Sequence, residues 1–227
     1  MRFGRFSMLA LALAAGAVDA LSFLALGQVF TANMTGNIVL LGLAIGTGDT
    51  SHVIRSGLAL ATFCLGLTAG FTLLGRTPSA GRDPPAAVPA RPLAVLLAEL
   101  ALLVLVAAGW AAHVLPRPAL IAASGTAMGL QSAVTRWAGG PGLSTTYLTG
   151  TLTSLAGRAV GPRSGMLRPL GVVLCVVSGA VIAALALRLH HPLTPFIAPA
   201  TVAAAIAAWA LTSGDRAHRG EGQDGLR

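Results

Sequence analysis

The sequence predicts an all-α integral membrane protein: six transmembrane helices and two re-entrant half-helices, arranged as an inverted 3+3 repeat. Three observations carry that prediction. Of 227 residues, 55% are hydrophobic and only 10% charged, against roughly 25% charged in a soluble domain; the mean hydropathy is +0.78. Six apolar runs come close to the roughly 20 residues that a helix rising about 1.5 Å per residue needs to cross a bilayer. Finally, TANMTGN at 31–37 and TTYLTGT at 145–151 share the pattern Thr, three residues, Thr-Gly, and each stands beside an apolar run.

The first predicted span is 8–30. The opening MRFGRFSMLALALAAGAVDA has the outline of a secretory signal peptide, but the apolar run continues to Phe30 and 16–37 has a counterpart later in the chain. It is therefore expected to remain as a helix. The piece 36–46 is too short to cross: its 11 residues reach about 16 Å, half the hydrocarbon thickness. Span 53–75 follows, then a Pro-rich stretch, 76–92, read as a cytoplasmic linker, and span 93–113. The first repeat is thus 1–75 with 93–113. The second, 118–212, holds spans 118–136, 168–189 and 194–212 and the short piece 150–160. A polar tail, 213–227, is expected in the cytoplasm.

Charge orients the chain. All 15 basic residues are Arg. With both short pieces re-entrant and both termini inside, Arg2, Arg5, Arg76, Arg82, Arg91, Arg136, Arg158, Arg163, Arg168, Arg216, Arg219 and Arg227 face the cytoplasm. Only Arg55, Arg117 and Arg188 face outward, as the positive-inside rule requires of a bacterial inner (plasma) membrane protein. If each short piece crossed fully, the linker and its Arg residues would lie outside. The net charge of +8 does not indicate nucleic acid, because the Arg residues are scattered between apolar runs instead of clustered with aromatic residues on one face.

The repeat extends beyond the Thr-Gly pattern. GAVDA at 16–20 precedes the first stretch and GLQSA at 129–133 the second, so Asp19 stands 16 residues before Thr35 and Ser132 stands 17 before Thr149. Three crossings per half invert the second half relative to the first, a plan that recurs in secondary transporters. GAVDALSFLALGQVFTANMTGN, with GLQSAV and TTYLTGTLTSLA, also resembles the YoaK-type (UPF0700-like) family of six-helix bacterial membrane proteins, a domain of unknown function. The resemblance covers nearly the whole chain and implies a fold and a location but no substrate. Ser132 stands where that family commonly has Asn.

Non-helical backbone at membrane depth must be enclosed by protein or line a wet cavity. Each Thr-Gly stretch is therefore read as an extended segment reaching the midplane, followed by a half-helix that aims its free amides there. Two such tips would suit an anionic solute. Thr31, Asn33, Thr35, Gly36, Asn37, Thr145, Thr149, Gly150 and Thr151 are the expected binding residues, with Gln131 and Ser132 behind them. Asp19 falls deep in the first span, where a carboxylate costs about 2.5 kcal/mol or more, so it is expected to couple transport to a proton or ion. The alternative is a hydrogen-bonded acid fixing a neighbour through Asn33 or Gln131. Glu99 is a second coupling candidate, eight residues past Arg91 and so nearer the cytoplasmic end of its span, where it could snorkel to water or pair with Arg.

Cys64 and Cys175 lack metal or disulfide spacing and read as small buried side chains. His113, His190, His191 and Trp110 read as interface anchors. No hydrolase, zinc-protease or P-loop motif is present, so neither an enzyme nor a cofactor is expected. The expected function is a secondary transporter or channel-like permease for a small, anionic solute or ion. The competing reading is a non-transporting scaffold or accessory subunit. The expected partners are the lipid bilayer and the solute, and the small bundle leaves room for a homodimer.

Overall fold

A computed structural model describes residues 4–75, 90–139, 148–160, 167–189 and 191–224. The described residues form only helices and their connections. In order they are α1 (Arg5–Ala25), α2 (Met34–Thr47), α3 (Thr50–Leu74), α4 (Ala90–Ala111), α5 (Arg117–Gly139), α6 (Leu148–Val160), α7 (Leu167–Leu189), a 3-10 turn (His191–Phe196) and α8 (Ile197–Asp224). Five stretches are long and apolar enough to cross a membrane: Arg5–Ala25, Thr50–Leu74, Arg91–Ala111, Pro169–Leu189 and Pro192–Thr212. The chain is therefore a multi-pass membrane protein.

The run expected to span 118–136 forms α5, whose 23 residues rise about 34 Å. It is less apolar than those five stretches because it is enclosed by protein. From Leu120 to Thr135 every residue is buried or half-buried, so Ser124, Gln131 and Thr135 meet protein. α5 lies against α3 and α4, while α1 lies against α7 and α8; α2 packs on α3, and α6 on α7.

Glycines set the closest approaches. A β-carbon on Gly129 would run into the backbone carbonyl of Phe63 in α3, and one on Gly66 into that of Thr126 in α5. On the other pair of helices, Gly16 meets the carbonyl of Val176 in the same way, and Gly179 that of Leu13. Without favourable hydrophobic transfer between helices in lipid, such backbone contact is what holds spans together. The contacts repeat at a constant interval: Gly129, Val176, Thr126 and Gly179 each follow Gly16, Phe63, Leu13 and Gly66 by 113 residues.

Several boundaries differ from expectation. The first helix ends at Ala25, although the apolar run continues to Phe30, because Gly27 (φ 110°) and Gln28 (φ 60°) reverse the chain. The last helix starts at Ile197 behind the 3-10 turn containing Pro195. Cys64 is exposed and Cys175 half-buried, which corrects the expectation of two buried thiols. Both the core and lipid accept apolar side chains, so an apolar run does not show which way its cysteine points. His190 and linker residues 76–89 lie outside the described residues, as do parts of the N-terminal segment and the C-terminal tail.

Candidate functional site

Past Gln28 the chain runs back along α1 as an extended segment, and its amides need acceptors. Asp19 supplies one: its Oδ1 accepts from the backbone N–H of Thr31 at 2.8 Å and of Ala32 at 2.7 Å. Asn37, one turn into α2, supplies the next. Its Oδ1 accepts from the N–H of Phe30 at 2.9 Å, and its Nδ2 donates to the Phe30 carbonyl. The Ser22 and Thr31 hydroxyls pair at 3.1 Å, and the Phe23 and Phe30 rings stack with centroids 5.0 Å apart. Asn33 caps α2 by accepting from the N–H of Gly36 at 3.3 Å. Gly36 lacks a β-carbon that would come within 2.8 Å of the Phe30 ring.

The crowding of polar groups in TANMTGN thus has a local cause, since Thr31, Asn33 and Asn37 spend their hydrogen bonds holding a non-helical segment against α1. Thr31 and Asn37 are fully buried, whereas Asn33 and Thr35 are exposed. α2 starts at Met34, two residues earlier than the expected half-helix, because Asn33 caps it and leaves Thr35 in the first turn. Asp19 engages backbone amides, where the alternative reading had it fix a neighbour through Asn33 or Gln131.

In the second half Thr145 lies outside the described residues. α6 begins at Leu148, so Thr149 and Gly150 are its second and third residues, the same places that Thr35 and Gly36 hold in α2. Thr149 is exposed and accepts the Thr153 hydroxyl at its carbonyl at 2.9 Å; Gly150 is half-buried and Thr151 buried. α2 and α6 pack on different helices, α3 and α7; in the first half Thr31, Ala32 and Asn37 are tied together around Asp19 and Phe30. Ser132, the expected counterpart of Asp19, turns its hydroxyl back to the Met128 carbonyl at 2.8 Å. Gln131 reaches between the halves, its Nε2 donating to the Leu11 carbonyl at 3.0 Å.

Among the described residues Glu99 neither reaches water nor pairs with Arg, contrary to expectation. It is the tenth residue of the 22 in α4 and is 0% exposed, and neither carboxylate oxygen has a hydrogen-bond partner among the described residues. Sequence reasoning also missed Ser22, Ser124 and Thr194. Ser124 and Thr194 border a void of about 10 Å³ with Val18, Leu21, Leu103 and Val106, enough for about one water. The visible signal for Ser22 and Ser124 was a buried hydroxyl in an otherwise apolar run. Among the described residues no group of His, Cys, Asp or Glu could hold a metal ion.

Comparison with known proteins agrees with this architecture. Residues 7–209 match the family described as "Protein of unknown function (DUF1275)". The chain is 38% identical over 187 residues to the UPF0700 transmembrane protein YoaK of Bacillus subtilis (strain 168), an alignment covering 78% of this chain and 80% of that protein. No solved structure matches. With Asp19 and Asn37 stitching a broken segment into a multi-pass helical bundle, the chain belongs to the DUF1275 family of transmembrane proteins.

Proposed function

We propose that this protein is a secondary transporter or channel-like permease for a small, anionic solute, built as an inverted repeat of six spans with α2 and α6 re-entrant and both termini cytoplasmic. The observation that carries the reading is the constant 113-residue interval between the glycine contacts of α1 with α7 and those of α5 with α3. A pseudo-two-fold exchanging α1–α4 with α5–α8 accounts for it. The Gln131–Leu11 pair and the Val18–Ser124 border of the void are mates under that operation. The axis then passes near Ala15 and Met128, and Asp19 sits one turn, about 6 Å, away from it.

Each half lends its first helix to the other half's second. Two crossed units result, α1–α7–α8 and α3–α4–α5. They meet where α1 touches α5 and where α4 touches α8 and the 3-10 turn. Rocking of such units about a central site is the usual means of alternating access. The segment Leu26–Asn33 joins α1 of one unit to α2 on the other, so the hold of Asp19 on Thr31 and Ala32 acts at the hinge. In this closed arrangement Asp19 is an anchor, and coupling to an ion would require its release. Asn33 and Thr35, exposed at the α2 tip, remain the candidate solute contacts of the first half.

The scaffold reading is favoured by one observation, the closed packing around a void of only about 10 Å³. The two readings part at Ser124, which is 1% exposed. In a variant with Cys64→Ala and Cys175→Ala, Ser124→Cys in proteoliposomes is expected to react with a membrane-impermeant maleimide, and a panel of small anions is expected to change the rate. No reaction from either face in any condition would favour the scaffold.

A further inference from the structure

We propose that Glu99 is a proton-binding site at the junction of the two crossed units. Its buried neighbours on α4, Pro92, Val95, Leu96 and Leu103, place it on the stripe that faces the core. Leu96 and Leu103, one turn to either side, join Met128 and Val134 of α5 and Val202 and Trp209 of α8 in one apolar cluster. On α8 the buried residues Ala198, Val202, Ala205 and Trp209 repeat the spacing of Pro92, Leu96, Glu99 and Leu103. Glu99 thus occupies the register of Ala205, an acid where the other unit has a methyl group.

The ligand follows from what surrounds the carboxyl. Both oxygens are buried without a hydrogen-bond donor among the described residues, and a carboxylate charge in such a place is strongly disfavoured. The charged and titratable residues of the neighbouring elements lie elsewhere. Arg91 is exposed at the start of α4, Arg117 and Arg136 are exposed near the two ends of α5, and His52 and Arg55 lie in the first two turns of α3. His191 is in the 3-10 turn, and α8 carries no charged residue from Ile197 to Thr212. On α1, Arg5 lies at the exposed start and Asp19 is occupied by Thr31 and Ala32. A metal ion needs several oxygen or nitrogen ligands, and the described residues offer no such group. A proton needs none.

The step is a simple transfer: a carboxylate oxygen of Glu99 takes a proton from hydronium at one face, leaving water, and returns it to water when the units rock. Proton binding stands without the transport reading, while its use in coupling rests on it. Dicyclohexylcarbodiimide, which enters lipid and adds to protonated carboxyls, tests the binding on the full chain in liposomes. The expected adduct is on the Glu99 peptide, absent in Glu99→Gln, and falls roughly tenfold or more between about pH 5 and about pH 9. Infrared difference spectra across the same pH step are expected to lose a protonated-carboxyl carbonyl band in Glu99→Gln and in Glu99→Leu. Glu99→Leu leaves no buried polar atom behind and is expected to fold. No adduct on Glu99, or one independent of pH with no infrared change, would overturn the proposal. If adduct and band appear as expected but no solute is taken up, the transport reading fails and the proton site stands.

Discussion

Gly129→Leu and Gly16→Leu are expected to abolish recovery of folded, monodisperse protein. At each position the nearest obstacle is a backbone carbonyl, of Phe63 and Val176 respectively. A carbonyl inside a helix cannot swing aside as a side chain can, so the two helices must separate. Overpacking typically costs about 1–3 kcal/mol when side chains can adjust, and about 3 kcal/mol or more is expected where they cannot. Gly16→Ala and Gly129→Ala should give smaller losses of similar size, because each β-carbon meets a backbone carbonyl at about the same distance. Gly42→Leu and Gly57→Leu are the controls, since nothing lies within 4 Å of a β-carbon at either; they should fold as the parent does. Yield after size-exclusion chromatography and thermal unfolding in detergent measure all six. Normal folding of Gly129→Leu would mean that α3 and α5 do not meet as described.

Asp19→Ala is expected to produce the second large effect. It strands the amides of Thr31 and Ala32, which the Asp19 carboxylate accepts at 2.8 and 2.7 Å, at a depth where water cannot replace it. A buried unpaired donor costs about 1–3 kcal/mol, so the two together should cost about 2–6 kcal/mol, expressed as release of the segment between α1 and α2. Asp19→Asn keeps an amide oxygen in nearly the same place and should lose about 1 kcal/mol. Thermal unfolding and the rate of proteolysis between Gln28 and Asn33 distinguish these outcomes. Equal losses in the two variants would show that the charge matters more than the acceptor geometry.

Much of this arrangement could be read from the chain before any coordinates. Fully apolar runs declared the lipid-facing helices, and the pairing of GAVDA with GLQSA located the two segments whose glycines make the crossing contacts. The unusual residues of TANMTGN marked the break between α1 and α2. What stayed hidden depended on which face a side chain presents. Asp19 and Glu99 look alike as acids in apolar runs, yet one meets two amides and the other has no hydrogen-bond partner among the described residues. That difference is set by the reversal at Gly27 and Gln28, whose positive φ values bring Thr31 back to Asp19. The short helix was expected from Gly36, but Asn33 caps it from Met34 onward and leaves Thr35 exposed in the first turn. Cys64 was misplaced because lipid and protein interior accept the same side chains. α5 was legible as a long helix but not as the enclosed helix it is, since enclosure depends on α3 and α4 closing around it.

Cysteine accessibility tests the inverted, re-entrant architecture most directly. Starting from the Cys64→Ala, Cys175→Ala chain, single cysteines at the exposed positions Gln28, Gly48, Val114, Leu167 and Leu193 are labelled in sealed vesicles with a membrane-impermeant maleimide. With 14 residues α2 rises only about 21 Å, so Gln28 and Gly48 should be labelled from the same face, together with Val114 and Leu193. Leu167 should be labelled only from the opposite face. Labelling of Gly48 opposite Gln28, or of Leu193 opposite Val114, would mean that a short helix crosses the membrane, and the inverted repeat would be contradicted.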